Sequence, residues 1–144
     1  MMFTKVRDVK SPSRGTDQSA GLDFFVPNDV EEFTILPGCS VNIPSGIKVM
    51  FPYGHAGIYF NKSGVGSKGL LVGACVVDSD YRGEVHLNIH NVSTKEVSFK
   101  PGQKLVQMLV MPISMVAPLE IDNSNYDSYA PTERGEGGFG STGA

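Results

Sequence analysis

Val85, Leu87 and Ile89 alternate with His86, Asn88 and His90. In extended chain, successive side chains leave on opposite faces, so this spacing predicts a strand with one apolar and one polar side. The same period of two runs through Val41 and Ile43 and then through Ile47, Val49 and Phe51, while Gly57 to Asn61 (GIYFN) predicts another strand. Leu105 to Met111 (LVQMLVM) scarcely alternates, which predicts a strand buried on both faces. No segment carries convincing helical periodicity. Turn signals stand at Pro37-Gly38, Pro44-Ser45-Gly46, Pro52-Tyr53-Gly54 and Pro101-Gly102. Short strands between regularly spaced turns predict an all-β sandwich, jelly roll or barrel. From Glu120 to Glu133 the chain turns polar (EIDNSNYDSYAPTE), which predicts an extended arm. The expected organisation is a β domain over residues 1–119 and a flexible, glycine-rich C-terminal arm over 120–144.

Composition narrows the class. With 144 residues and 40% hydrophobic content the chain can bury one core. A net charge of −3 argues against a nucleic-acid scaffold, which needs a basic face. The N-terminal MMFTKVRDVK has charges interrupting its apolar residues, and no later run is long enough to span a membrane, so a soluble, cytoplasmic protein is expected. Cys39 and Cys75 lack metal-ligand spacing and are expected as small buried hydrophobes in a reducing compartment. The sequons at Asn61 and Asn91 are then accidental.

Two stretches carry chemistry. Arg134 to Gly143 (RGEGGFGSTG) surrounds an arginine, a phenylalanine and a Ser-Thr pair with glycines. Glycine lets consecutive N–H groups turn inward as an anion nest, Ser141 and Thr142 add donors, Arg134 can fork onto phosphate oxygens, and Phe139 offers a flat face to a base. The second stretch, Val77 to Val85 (VDSDYRGEV), follows the apolar run Leu70 to Val77 and reads as a β-hairpin or bulged strand turn with polar groups at its mouth. At the end of that run, desolvation and the neighbouring Asp80 could tune Asp78 as a general base. Lys62-Ser63-Gly64 is either a surface turn or a phosphate contact. Gln107 interrupts an apolar strand, so its amide must find a backbone group or a ligand. His86 and His90 lie too far apart along an extended strand for a good shared metal site and read as a solvated or interface face.

Taken in order, Ala20-Gly21-Leu22-Asp23, Lys62-Ser63-Gly64, Gly73 to Gly83 (GACVVDSDYRG), Pro101 to Val110 (PGQKLVQMLV) and Arg134 to Gly143 resemble the five motifs of the trimeric dUTP nucleotidohydrolases, the dUTPases. The resemblance implies a distorted jelly-roll subunit of the β-clip type, assembled as a homotrimer with active sites shared between subunits. It implies Mg²⁺-dependent hydrolysis of dUTP to dUMP and pyrophosphate, which keeps uracil out of DNA and supplies dUMP for thymidylate synthesis. Gly73, Ala74 and Cys75 would then offer backbone groups to uracil, Tyr81 would pack on deoxyribose, and Phe139 would lie over the base. Asp78 would deprotonate the attacking water, and Asp23 would hold a water on the metal. Lys62, Ser63, Gly64, Gln107, Arg134, Gly137, Gly138, Ser141 and Thr142 would contact the phosphates. The family most often has an arginine where this chain has Lys62, a point charge in place of a fork. Two rival readings are a dCTP deaminase-like enzyme, whose catalytic glutamate would align with Asn88, and a nucleotide-binding jelly-roll regulator without catalysis.

Overall fold

The computed structural model describes residues 1–129, 131–139 and 141, in two compact units, Met1–Ser114 and Met115–Ala144. The first unit contains strands β1 (Met2–Lys5), β2 (Leu22–Phe25), β3 (Phe33–Ile35), β4 (Ser40–Met50) and β5 (His55–Asn61), then a one-turn helix α1 (Ser63–Gly66). It continues with β6 (Leu70–Gly73), β7 (Val76–Val77), β8 (Glu84–Asn91), β9 (Val97–Phe99) and β10 (Lys104–Pro112). One four-stranded sheet runs β1-β4-β8-β6, a second runs β2-β10-β5-β7, and β3 pairs with β9, every pairing being antiparallel. The expected all-β, jelly-roll-like architecture is what forms.

The period-two residues explain the packing. In β8 Val85, Leu87 and Ile89 are buried while His86 and His90 face out, and β4 buries Ile43, Ile47 and Val49. These side chains meet Phe24, Leu105, Val106 and Met108 of the other sheet, with Val26 just past the end of β2, in one apolar cluster. Each large core aliphatic or aromatic side chain contributes about 1.5–3 kcal/mol relative to exposure. Asn91 sits among them at 1 % exposure, with its amide donating to the carbonyls of Ile35 and Lys95, both at 2.8 Å, and its oxygen accepting from Ser93. The Asn91 sequon is therefore structural.

Several expectations change. Pro44-Ser45-Gly46 is not a chain reversal but a bulge inside β4, with Gly46 at φ 75 and its N–H donating to Glu84 Oε1 at 2.7 Å. β10 is buried on both faces only at its start: Leu105, Val106 and Met108 are buried, whereas Leu109 and Val110 are half-buried and Met111 is exposed. Cys39 is exposed just after the Pro37-Gly38 turn, and Cys75 is half-buried against the core. The second unit is not wholly extended, because a helix α2 spans Asn123–Tyr129. Asp122 Oδ1 accepts from the Ser124 amide at 2.8 Å and its hydroxyl at 2.6 Å, and these bonds hold the Asp122 carboxyl below its ordinary value. A cap can start a short polar helix that has no apolar periodicity to announce it. No helix among the described residues is long and apolar enough to cross a membrane.

Candidate active site

The apolar run Leu70–Val77 belongs to two sheets. β6 pairs with β8 as far as Gly73 opposite Asn88, whereas β7 pairs with β5 through Val76 and Val77. The crossing occurs at Ala74, whose φ of 46 is uncommon for a residue with a Cβ, and the Cys75 thiol braces it by donating to the Val72 carbonyl at 3.3 Å. The expected hairpin is thus a strand crossing followed by a turn at Ser79-Asp80. Where β7 leaves, the β8 edge at Glu84–Leu87 loses its neighbour on that side, and a cavity of about 250 Å³ opens between the parted segments. Ala74, Asp78 and Tyr81 line it together with Asn42, Val76, Val77, Val85 and His86, while Gly73 and Cys75 flank it along the chain.

Within this cavity Asp78 is exposed rather than desolvated, and its carbonyl accepts from the Tyr81 amide at 3.2 Å, closing the turn. Tyr81 is 44 % exposed, and its hydroxyl donates to the Glu84 carbonyl at 2.9 Å. That same carbonyl receives His86 Nδ1 at 3.0 Å. Gly83 allows the phenol to fold back, since a Cβ there would collide with the Tyr81 hydroxyl and ring. The phenol is therefore anchored before any ligand arrives.

A second cluster forms around Asp23 in β2. Although only 3 % exposed, its carboxylate meets Lys62 on Oδ1 and Lys104 on Oδ2, the latter at 2.8 Å. Burial pushes the Asp23 carboxyl up, but bonds and charge from Lys104 and Lys62 together outweigh it and leave it below its ordinary value. Gln107 lies opposite Asp23 in the β10–β2 ladder and donates to the Asn61 carbonyl at 2.9 Å, so its amide finds the backbone partner it requires. Lys62 precedes α1, leaving Ser63 and Gly64 exposed in its first turn, where N–H groups have no intrahelical acceptor. Asp23, Lys62, Ser63, Gly64 and Gln107 are thus gathered by β2, β10 and the end of β5.

Two ammonium groups around one carboxylate suit an incoming anion better than a bare cation. No group of three or more His, Cys, Asp or Glu side chains among the described residues could hold a metal. Each Asp23 oxygen keeps a lone pair beyond its lysine, so the carboxylate can accept a further hydrogen bond, such as one from a metal-bound water.

In the second unit the described residues of the glycine-rich segment make tight turns. Arg134 donates from Nε to the Gly137 carbonyl at 2.7 Å, the Gly137 amide donates to the Arg134 carbonyl at 3.0 Å, and the Ser141 amide to the Gly138 carbonyl at 3.0 Å. Arg134, Gly137 and Ser141 line a cavity of about 400 Å³ with Glu133. Gly138 is half-buried, and Phe139, at φ 45, is fully exposed. Thr142 lies outside the described residues.

A family model described as dUTPase matches residues 7–143. The chain belongs to the dUTPase family. It is 33% identical over 141 residues to a deoxyuridine 5'-triphosphate nucleotidohydrolase of Mycolicibacterium vanbaalenii, covering 95% of this chain and 90% of that protein. In fold it is similar to a mutant dUTPase of Staphylococcus bacteriophage 80alpha solved with dUpNHpp, at a TM-score of 0.86 and 22% identity over 99% of this chain and 98% of that one. It is also similar in fold to a mutant dUTPase from phage phi11 of S. aureus, described with a coordinated structural Mg(II) ion, at a TM-score of 0.75 and 20% identity over 86% and 97% of the two chains.

The structure brings three further groups to these two clusters that the sequence reading did not place there. Lys104 was hidden as an ordinary charge ahead of an apolar strand, and its partner Asp23 lies far away in sequence. Asn42 and His86 line the Asp78 cavity because β4 and β8 run side by side under it. For His86 the signal was its place on the polar face of β8, close after Tyr81.

Proposed function

We propose that this chain hydrolyses dUTP to dUMP and pyrophosphate, keeping uracil out of DNA and supplying dUMP for thymidylate synthesis, as an intracellular enzyme. One observation carries this reading within the family: the parting of β6 and β7 places Asp78 and Tyr81 on one cavity beside unpaired strand edge. Fixed backbone groups there suit uracil, which shows an N3–H donor beside an O4 acceptor. Cytosine shows the reverse pair and would leave buried groups unsatisfied, a discrimination of about 10⁴ or more in a well-built site. Gly73, Ala74 and Cys75 supply those groups, and the anchored Tyr81 ring packs on deoxyribose and leaves no room for a 2′-hydroxyl. Asp78, open to solvent, takes a proton from water as it attacks the α-phosphorus in line.

Lys62, Ser63, Gly64 and Gln107 receive the triphosphate. Arg134, Gly137, Gly138, Ser141 and Thr142 close round it, with Phe139 over the base. For this, Arg134 gives up its bond to Gly137 and takes phosphate oxygens instead. When bound with the substrate, Mg²⁺ would supply charge neutralisation at the phosphates, and Asp23 would hold it by accepting a hydrogen bond from one of its waters. The 80alpha relative is described with dUpNHpp, which supports dUTP as the substrate, and the phi11 relative with a structural Mg(II) ion, which supports Mg²⁺ as the metal. We read the working form as a homotrimer whose tail closes a site on another subunit.

The test is incubation with dUTP, dCTP, dTTP or UTP in the presence of Mg²⁺, measuring pyrophosphate. The expected result is release from dUTP far above the other three. Comparable turnover of dTTP or UTP would sink the reading, and ammonia from dCTP would transfer the chain to the deaminases.

A further inference from the structure

We propose that Asn88, held by His90, is a positioning residue for base recognition, setting the point at which β6 parts from β8. This rests on the reading of the crossing as the uracil site. Gly73 and Asn88 are the last paired residues of the β6–β8 ladder, and Ala74, with its positive φ, follows at once. A Cβ on Gly73 would collide with Asn88 Oδ1 and lie 2.6 Å from His90 Nε2. The two side chains are themselves bonded, Asn88 Oδ1 to His90 Nε2 at 2.8 Å. An amide oxygen only accepts, so the imidazole donates; this turns the amide nitrogen toward the Val41 carbonyl, 3.5 Å away on β4.

The bridge therefore lies directly against the Gly73 Cα, at the one place where the backbone must stop being ladder and become binding site. Core packing does not explain it. Val85, Leu87 and Ile89 serve the core from the opposite face of β8, while Asn88 is half-buried and His90 exposed. A strand face open to solvent accepts many side chains, yet here an amide and an imidazole are locked together over a glycine that has no room to be anything else. Their effect is to fix the Gly73–Ala74 peptide, whose N–H is the first group past the end of the ladder. A ligand base then meets donors and acceptors already aimed, which favours the matching edge over its reverse.

The experiment compares wild type with Asn88→Ala, His90→Ala, His90→Gln, Gly73→Ala and the double variant Gly73→Ala/Asn88→Ala, measuring kcat and KM for dUTP and dCTP together with Tm. Asn88→Ala is expected to raise the KM for dUTP about tenfold and to erode the dUTP-over-dCTP preference by a similar factor, with kcat little changed. His90→Ala should reproduce that, while His90→Gln, which keeps an N–H donor, should restore most of it. Gly73→Ala should lose discrimination at least as badly, and the double variant should lose no more than the worse single one, because both act on one contact. Unchanged KM and preference in both alanine variants at Asn88 and His90 would overturn the proposal. So would losses in kcat, KM and Tm together that His90→Gln does not rescue, the mark of a merely structural pair. A wild type inert on dUTP would instead remove the functional reading, and the proposal with it.

Discussion

The ammonium of Lys104 sits 2.8 Å from Oδ2 of Asp23, a carboxylate only 3 % exposed whose other oxygen is held by Lys62. The pairing makes stability depend on pH with a definite sign. Asp23 titrates below its ordinary 3.8 in the folded state, so its contribution is complete above that value and drains away as pH falls through the folded one. Asp23→Asn is expected to cost about 1–3 kcal/mol near neutrality, discounted because both lysines are partly exposed. Its urea-unfolding stability should also fall less steeply than that of the wild type below about pH 4. Parallel profiles for the two proteins would mean that the ion pairs contribute nothing to stability.

Gly83 gives a way to move Tyr81 without removing it. The methyl of Gly83→Ala would collide with the phenol and drive the ring from its bond to the Glu84 carbonyl. The expected outcome is a rise in UTP turnover relative to dUTP, in the direction of Tyr81→Ala. Tyr81→Phe, which keeps the ring and loses only one hydrogen bond worth about 1 kcal/mol, should shift the ratio less. Steady-state kinetics on both nucleotides decide it, and an unchanged ratio in Gly83→Ala would locate the 2′-hydroxyl filter elsewhere.

Asn91 is the buried polar group on which the β3–β9 ribbon depends, since it ties Ile35 and Lys95 to the end of β8. Asn91→Leu keeps the volume and orphans the Ile35 and Lys95 carbonyls. A loss of about 2–4 kcal/mol is expected by denaturant titration, with an unchanged m-value if the transition stays two-state. A variant as stable as wild type would show that water replaces the amide at no cost.

Asp78→Asn should lower kcat by about 10²–10⁴ while leaving dUTP affinity nearly intact, measured by single-turnover kinetics and calorimetry. The same variant tests sharing of the site. Refolded with a truncation ending at Glu133, it should regain activity in mixed trimers, where cyclic symmetry gives about one complete site in three. Activity no greater than the sum of the separately refolded variants, with mixed trimers confirmed by mass spectrometry, would place tail and cavity on one chain.

The sequence showed most where one local rule decides the outcome. Period-two alternation placed Val85, Leu87 and Ile89 in the core because a strand has only two faces, and Pro-Gly pairs marked the turns at Gly38 and Gly102. It showed less where the deciding partner is remote. Pro44-Ser45-Gly46 reads as a turn until Glu84, on another strand, captures the Gly46 N–H and makes a bulge. Leu70–Val77 reads as a single strand until β5 and β8 compete for its two halves. The motif resemblance named Asp23 and Lys62 separately; that they bond to each other, with Lys104 as a third member, is a matter of three-dimensional proximity. Arg134 shows the same limit on a smaller scale, because its composition marks an anion site and its bond to Gly137 does not follow from composition.

Because one eight-residue run crosses from sheet to sheet at Ala74, a base lodged in the gap would act as a rivet through both layers. Occupancy would then register far from the gap. Amides of β5, which pairs with β7, and of β4, which pairs with β8, should exchange more slowly together when nucleotide is present. Conversely, anything that lets the layers slide would slacken the grip on the ligand, even where no altered side chain touches it.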